Sequence, residues 1–505
     1  MASSNKQIAK NTIYLYIRTA ITMLIALYTS RIILRELGVS DYGVYNVIGG
    51  TVAMLTALSA TLSGATQRFI TYAIGKGDTN YLQKIFTVSV KIHILLAVVL
   101  LVIAETVGLW FINYKMNIPE GREWAAKVVF HLSVISFIFN ILALPFNSAV
   151  IAYERFSFYA FIDIFRSISK LALIFCIAYL PFDRLITYGC IELLIMIAYL
   201  IAYTSYVRIN LTDCSISKDK SPSIYKEVLG FTGWSFLGTS SSIVYTQGSN
   251  LLLNIFWGVL LNAAIGITNQ VLSAVSSFVS NFTLAVNPQI TKSYAANNYN
   301  RANDLIFFGS KISSFLLLLI GFPIVVNIPY ILDIWLVEVP DYTVTFIRLA
   351  LFSALINSYN NPFNCLMYAT GDIKVYQIAC VIINIGSVIL LYYAFRIHLH
   401  PAIIYYLLII QAPIKTFIML FLSKKATNFP ILHFISSVYF RIFLIACFIP
   451  LTIVIKNGFS YEMNLFLLLL ESLVYVVLMI LIIYMLGLTY KERRLLLSII
   501  KKRIN

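Results

Sequence analysis

The sequence predicts an all-α integral membrane protein of about 14 transmembrane helices, with two parallel-repeat six-helix lobes around a central cavity and two more helices at the C-terminus. Three observations lead to this fold class. Of the 505 residues, 60% are hydrophobic and only 11% are charged, whereas a soluble globular protein is roughly 45–50% apolar and about 25% charged. Long apolar runs recur along the whole chain. Several short phrases also appear twice at one common spacing.

The predicted membrane helices come from the lengths of the apolar runs. A spanning helix needs roughly 20 mostly apolar residues, and about fourteen stretches qualify, which we number as spans 1 to 14. The first has no small-residue cleavage site after it, so we expect an uncleaved membrane helix. The uncharged turn "FWGVLLN" separates spans 7 and 8. The spans are residues 11–34, 43–65, 85–112, 126–151, 158–180, 184–206, 229–256, 260–285, 308–330, 344–368, 374–396, 401–422, 433–456 and 464–487.

The basic residues predict the orientation of these spans. With the N-terminus in the cytoplasm, roughly 22 Lys and Arg fall in cytoplasmic loops and the tail, against roughly 8 outside. This bias accounts for the net charge of +16 without a nucleic-acid partner. We therefore expect a multi-pass protein with both termini in the cytoplasm.

The repeated phrases predict two related halves. "PFNSAVIAYERFSFY" from Pro145, at the end of span 4, recurs as "PFNCLMYATGDIKVY" from Pro362, at the end of span 10. Two weaker pairs follow spans 2 and 8 and spans 3 and 9, and all three pairs are separated by about 220 residues, or six helices. An even number of helices returns the chain to the same side, so the repeats are parallel. Two parallel lobes with a site between them are a transporter architecture; chance similarity between apolar segments is the alternative.

These repeats predict four segments. Residues 1–207 form an N-terminal lobe and residues 208–228 a cytoplasmic linker. Residues 229–425 form a C-terminal lobe, and residues 426–505 contain spans 13 and 14 with a basic cytoplasmic tail.

Ionisable residues inside the spans are candidate site residues, because a charge at membrane depth is costly and usually faces a cavity or a partner. Asp163, Arg166 and Lys170 share one face of span 5, with Tyr159 one turn earlier. Cations outnumber carboxylates, which suits an anionic substrate. The local alternative is an Asp163–Arg166 pair that neutralises itself. Other candidates are Arg18, Lys91, Glu105, Glu192, Arg348, Lys415 and Glu471.

Spans 7 and 8 carry polar stripes at helical spacing. Such stripes mediate tight helix packing in membranes, or they line a cavity and bind sugar hydroxyls, and both interpretations stay open. No nucleophile–base pair, metal-ligand spacing or phosphate-binding loop is present, so we predict no catalytic residue, no metal site, no cofactor and no enzymatic activity. The stripes are Ser235, Thr239, Ser242 and Thr246, and Asn269, Ser273, Ser276 and Ser280.

The turn "SRIILRELGVSDYGVYNV" carries the pattern L-G-x-x-x-Y-G-x-Y, which begins at Leu37 and Gly38 and ends at Tyr45. Together with "QRFIT", "ALPFNSAVIAYERF" and "ILDIWLVEVPDYT", in this order, it resembles the bacterial polysaccharide transporter family. These are the O-antigen and lipid-linked oligosaccharide flippases of the multidrug/oligosaccharidyl-lipid/polysaccharide (MOP) superfamily. The resemblance extends to about residue 425, and spans 13 and 14 fit by position and hydropathy.

The resemblance implies a two-lobed fold like that of MATE transporters, alternating access, and a location in the bacterial cytoplasmic (inner) membrane. The implied substrate is an undecaprenyl-pyrophosphate-linked oligosaccharide, moved from the cytoplasmic to the periplasmic leaflet. Membrane lipids are expected partners, spans 13 and 14 are placed to guide the lipid tail, and the protein is expected to be a monomer. Proton and sodium both stay open as a coupling ion. In related lipid II flippases, basic residues of the first helices serve the pyrophosphate; by position these are Arg18, with Arg31 and Arg35 near the outer end.

Two other functions are weighed against a flippase. A cation/drug antiporter of the same superfamily favours an acidic, aromatic cavity, whereas the deep charges here lean basic. A membrane-embedded glycosyltransferase or polymerase needs an acidic outside loop, and the stretch 115–122 is short. The predicted substrate-binding residues are Arg18, Arg31, Arg35, Asp163, Arg166, Lys170, Arg348, Lys415, Asn269 and Ser273.

Overall fold

The computed structural model describes residues 2–53, 56–114, 118, 120–179, 181–217, 222–336, 339–457, 464–489 and 492–493. All regular secondary structure in this part of the chain is helical, and nine of its helices are long and apolar enough to cross a membrane. The predicted all-α, multi-pass membrane fold is therefore confirmed.

Contacts divide the chain into two compact units, unit 1 at Met1–Thr239 and unit 2 at Ser240–Asn505. The four-segment organisation stays a prediction. The helices up to the linker are α1 (Ala2–Ala53), α2 (Thr56–Lys76), α3 (Thr79–Ile103), α4 (Leu109–Tyr114), α5 (Glu123–Ala152), α6 (Phe156–Cys176) and α7 (Arg184–Asn210). A π-helical turn, Ala104–Gly108, joins α3 to α4, and a 3₁₀ turn, Ile177–Tyr179, extends α6.

Helix α8 (Pro222–Trp257) crosses the boundary between the units. The later helices are α9 (Val259–Ala295), α10 (Tyr299–Trp335), α11 (Thr343–Ser358), α12 (Asn360–Thr370), α13 (Lys374–Arg396), α14 (Ile403–Thr427), α15 (Ile431–Phe434), α16 (Phe440–Ala446), α17 (Phe448–Asn457) and α18 (Leu465–Ile482). The π-helical turns Ile435–Tyr439 and Ile483–Gly487 join α15 to α16 and extend α18.

Each predicted span coincides, over its described residues, with one to three consecutive helices, but several helices are longer than predicted. Span 2 was predicted to end at residue 65, whereas α2 continues to Lys76, and α9 continues to Ala295. Hydropathy detects only the part of a helix that lies in hydrocarbon. The backbone hydrogen bonds of a helix continue into its polar ends, so the full helix exceeds the apolar run.

Two glycines divide helices where the sequence predicted a boundary. Gly38 of the L-G motif has φ 76° and ψ 167°, which breaks α1 between spans 1 and 2. Gly258 has φ 83° and separates α8 from α9 at the "FWGVLLN" turn. A positive φ of this size costs glycine little, while a residue with a Cβ would be strained.

The two repeated prolines do not end helices, contrary to our prediction. Pro145 lies inside α5, and Pro362 is the third residue of α12, which begins after a break at Tyr359. A proline in the first turn lacks only an N–H that has no intrahelical acceptor. Membrane helices also tolerate internal proline, because neighbouring groups satisfy the freed carbonyl.

The C-terminal helices of unit 2 are attached by polar contacts. The Lys456 ammonium in α17 donates to Glu471 Oε2 in α18 at 2.7 Å and also to the side chain of Asn327 in α10. Lys311 in α10 donates to both carboxylate oxygens of Glu492 at 2.9 Å. Spans 13 and 14 are thus tied to α10, and Glu471, which we considered as a candidate site residue, serves this attachment.

Unit 1 has a charged clamp at one end. The Arg122 guanidinium donates to Asp41, three residues after the Gly38 kink, and to Asp183, the residue that caps α7. Burial alone would raise the pKa of Asp183, but hydrogen bonds from Arg122 and from the Ile186 backbone N–H outweigh it and hold that pKa below its usual value. The clamp joins α1, α5 and α7.

We expect Arg122→Ala to lower the free energy of unfolding of the protein in detergent by about 2 kcal/mol, since charge-assisted hydrogen bonds to two carboxylates are lost. A carboxylate with a depressed pKa stabilises the fold above its unfolded pKa, so the difference from wild type should disappear as the pH falls below about 4. Thermal unfolding between pH 7 and pH 3 measures it. Arg184→Ala is the control, because Arg184 is half exposed, has no carboxylate among the described residues closer than that of Glu36 at 3.8 Å, and donates one hydrogen bond to the Glu36 carbonyl at 2.9 Å. Equal melting temperatures for Arg122→Ala and wild type at pH 7 would contradict the clamp.

Candidate functional site

Helix α6 presents its charged face to α1 and α7. Arg18 Nη1 in α1 lies 3.2 Å from Asp163 Oδ2, and the two side chains are 19% and 22% exposed. The Arg18 guanidinium is also 4.9 Å from the centre of the Tyr159 ring. The predicted alternative, an Asp163–Arg166 pair, is not a direct contact: Arg18 is the cation within ion-pair distance of Asp163, and Arg166 attracts the same carboxylate from farther away. The cation nearest to Asp163 is Arg18, which lies in α1 and not in α6.

The second ion pair joins α6 to α7. The Lys170 ammonium contacts Glu192 Oε1, and the Tyr188 hydroxyl donates to the same oxygen at 3.0 Å. Tyr45, the last tyrosine of the sequence motif in α1, packs edge-on against Tyr188 with ring centres 4.6 Å apart. Glu192 therefore neutralises Lys170. Tyr45 of the motif packs against Tyr188, which donates a hydrogen bond to the Glu192 carboxylate.

Arg166 lies between these two pairs and has different partners. Among the residues that the structure describes, no carboxylate oxygen lies within 4.0 Å of its guanidinium nitrogens. The guanidinium lies 5.1 Å from the centre of the Tyr199 ring in α7. The Tyr199 hydroxyl accepts a hydrogen bond from Asn147 Nδ2 at 3.2 Å. An aromatic face holds a cation weakly without neutralising it, so Arg166 keeps its positive charge available.

Asn147 and Tyr199 are site residues that we did not predict. Asn147 is the asparagine of the first Pro-Phe-Asn phrase, so the repeat was the signal that could have found it. In the second copy, Asn364 accepts from the hydroxyl of Tyr376 at 2.5 Å. Both copies thus use this asparagine to fix a tyrosine, although the tyrosine comes from a different place in each.

A cavity of about 390 Å³ opens beside this cluster. Two cations, Arg166 and Lys170, line it. With the ion-pair partners Arg18, Asp163 and Glu192, the cluster contains three cations and two carboxylates and so carries one net positive charge. Small anionic groups suit such a cavity. The lining residues are Thr22, Ile25, Ala26, Thr29, Ile33, Tyr45, Arg166, Ser167, Lys170 and Tyr188.

Unit 2 contains a separate polar network around Lys415. Its ammonium donates to Asn384 Oδ1 at 3.0 Å and to Gln411 Oε1 at 3.3 Å. The Asn384 amide donates in turn to the hydroxyls of Ser241 and Ser242 in α8. The network joins α8, α13 and α14 with neutral oxygens around one cation. Ser242 of the predicted polar stripe therefore takes part in helix packing.

The remaining predicted residues lie apart from the cluster. Arg35 is exposed and pairs with Glu36 beside it in the chain, and the side chain of Arg31 lies outside the described residues. In unit 2, Arg348 Nε donates to the Val325 carbonyl at 3.2 Å. Asn269 and Ser273 are exposed on α9. The structure thus brings together four predicted residues in unit 1: Arg18, Asp163, Arg166 and Lys170.

No metal site is evident in this part of the chain. Among the described residues, no group of three or more His, Cys, Asp or Glu side chains could hold a metal ion. Glu105, another candidate from the sequence, lies in the π-helical turn after α3, and its Oε1 atom is 3.0 Å from His131 Nδ1.

Comparison with known proteins supports the fold. Residues 231–394 match the MatE family model, while no curated protein matches the chain significantly. The structure resembles a crystal structure of a MATE transporter in the bent conformation, with a TM-score of 0.72 and 14% identity, covering 84% of this chain and 96% of that one. An outward-facing multidrug resistance MATE transporter of the MOP superfamily gives a TM-score of 0.71 at 14% identity with the same coverage.

A third solved structure is a MOP superfamily transporter from Pyrococcus furiosus, with a TM-score of 0.70 and 13% identity over 84% of this chain and 96% of that one. Its description states that reverse polarity of the binding pocket suggests a different function. At such identities the likeness establishes the fold alone. The chain is a multi-pass membrane protein with the fold of the MATE transporters of the MOP superfamily.

Proposed function

We propose that the protein is a flippase that moves an undecaprenyl-pyrophosphate-linked oligosaccharide, an O-antigen or capsule repeat unit, from the cytoplasmic to the periplasmic leaflet by alternating access. The observation that supports this function best is Arg166, which faces a cavity and has no carboxylate partner among the described residues. The two flanking cations, Arg18 and Lys170, are each matched by a carboxylate.

A guanidinium with no carboxylate oxygen within 4.0 Å among the described residues favours a phosphorylated ligand. A pyrophosphate carries about two negative charges and cannot cross a low-dielectric interior without compensation. The guanidinium offers a planar set of N–H donors that can bind two phosphate oxygens at once. The cluster can therefore bind a pyrophosphate at Arg166 while the hydroxyls of Thr22 and Ser167 in the same lining remain available to its oxygens.

The same charges disfavour a cationic drug. A drug/cation antiporter needs an anionic group to meet its substrate, but Asp163 and Glu192 are already bound to Arg18 and Lys170. The fold itself does not decide between these functions, since the relative from Pyrococcus furiosus is described as having a binding pocket of reverse polarity.

In this proposal unit 2 contributes to sugar and phosphate binding. Asn269 and Ser273 are exposed on α9 and can hydrogen-bond sugar hydroxyls. The ammonium of Lys415 uses two of its three N–H donors within the protein, which leaves one for an anion. We further propose that the protein is a monomer in the bacterial inner membrane, with both termini in the cytoplasm. Transport is coupled to a proton or a sodium gradient in this proposal.

A transport assay in liposomes tests the proposed function. The purified protein should move a fluorescent undecaprenyl-pyrophosphate-linked oligosaccharide between leaflets, which is measured as fluorophore that becomes accessible to an impermeant quencher, and it should not accumulate a cationic dye under an imposed ion gradient. Protein-free liposomes are the control. Dye transport without lipid translocation would replace the flippase with the antiporter.

A further inference from the structure

An apolar groove runs along unit 1 between α6 and α7. It encloses about 550 Å³, and its walls include Phe161, Phe165 and Leu173 from α6 and Leu194 and Ala198 from α7. Phe161 and Leu194 are 63% and 60% exposed. The α6 residues extend from 161 to 173, which at 1.5 Å per residue corresponds to about 18 Å along the helix axis. The groove therefore has the length and chemistry to hold part of a hydrocarbon chain.

Arg166 lines both this groove and the polar cavity described above. It is the one ionisable residue in the groove lining apart from Tyr199, over whose ring it lies. A cation at the junction of an apolar groove and a polar cavity is complementary to an amphiphile whose anionic head and hydrocarbon chain meet at a phosphate. Ser169, one turn from Arg166 in the groove lining, adds a hydroxyl at this junction.

We propose that the groove between α6 and α7 holds the polyprenyl chain of the transported lipid, with the phosphate next to the chain bound by Arg166 and the sugars directed to the polar cavity. The inference rests on the proposed flippase function, which it deepens by assigning the hydrocarbon chain to unit 1 and not to spans 13 and 14, where the family resemblance placed it. Burial of each methylene from water is favourable, but in a bilayer the chain gains little from leaving other lipids. Its position is therefore decided by shape and by the phosphate contact, not by hydrophobicity.

Filling the groove tests this assignment. Ala198 is exposed in the groove wall, so Ala198→Trp should place an indole where the chain lies. In nanodiscs, binding of a fluorescent undecaprenyl-pyrophosphate-linked oligosaccharide should weaken at least tenfold, while binding of the same oligosaccharide pyrophosphate without the chain stays unchanged. The matched control is Ile201→Trp, on the same helix and 58% exposed but outside the groove lining. Equal lipid binding by Ala198→Trp and wild type would overturn the proposal.

A photo-cross-link distinguishes the substrate chain from bulk lipid. A benzoylphenylalanine at position 194 should label the fluorescent lipid-linked oligosaccharide, and excess unlabelled lipid-linked oligosaccharide should suppress the labelling while excess phosphatidylglycerol does not. Suppression by phosphatidylglycerol would show that the groove holds ordinary membrane lipid, and would overturn the inference. If either result overturns the groove assignment alone, the wild-type protein still translocates the lipid-linked oligosaccharide. If the proposed flippase function is wrong, the wild-type protein does not translocate it.

Discussion

Arg166→Ala is expected to reduce surface export of polysaccharide at least a hundredfold in a strain that depends on this protein, with normal amounts of the protein in the membrane. A charge-assisted hydrogen bond is worth about 1.5–3 kcal/mol, and the variant loses a bidentate contact together with the compensating charge. Arg166→Lys keeps the charge but lacks the planar donor pair, so we expect partial export. Export is measured by immunoblot of surface polysaccharide.

The control for Arg166→Ala is Arg208→Ala, since Arg208 is exposed in the last turn of α7 and is not a predicted site residue. The double variant Asp163→Ala/Arg166→Ala should not regain export, because Arg18 is the cation in contact with Asp163. Rescue by the double variant, or full export by Arg166→Ala alone, would remove Arg166 from the site.

The second large effect concerns the ion pair between Arg18 and Asp163. Removing one partner leaves a charge at membrane depth without compensation, so we expect Arg18→Ala and Asp163→Ala each to destabilise the protein by about 3 kcal/mol. The double variant Arg18→Met/Asp163→Leu removes both charges and preserves the volume, so it should recover most of this stability. Thermal unfolding in detergent measures all three.

This result would also separate stability from transport. The resemblance to lipid II flippases implies, by its position in the first helix, that Arg18 serves the pyrophosphate. The structure gives it a carboxylate partner in α6, so a loss of export in Arg18→Ala should accompany a loss of folded protein. If Arg18→Ala has the wild-type melting temperature but no longer exports polysaccharide, Arg18 takes part in substrate binding.

The fold class, the spans and the helix breaks at Gly38 and Gly258 could be predicted from the sequence alone. Hydrocarbon forces every spanning backbone group into a helix, so composition and run length are sufficient to find the spans. The breaks at Gly38 and Gly258 could be predicted because both residues have a positive φ, a backbone conformation that favours glycine. The repeated Pro-Phe-Asn phrase contains Asn147, but neither Asn147 as a site residue nor its contact with Tyr199 was predicted from the sequence.

The pairing of the charged residues could not be predicted from the sequence and became visible in the packing of the helices. A sequence shows neighbours three or four residues apart on one helix, and on that basis Asp163 and Arg166 formed the obvious pair. The rotation and height of α6 relative to α1 and α7 bring Arg18 to Asp163 and Glu192 to Lys170 instead. Partners this distant in the chain depend on side-chain packing among three helices, which the spacing of residues along one helix does not reveal. Because of this packing, Arg166 is the cation of the cluster with no carboxylate oxygen within 4.0 Å among the described residues.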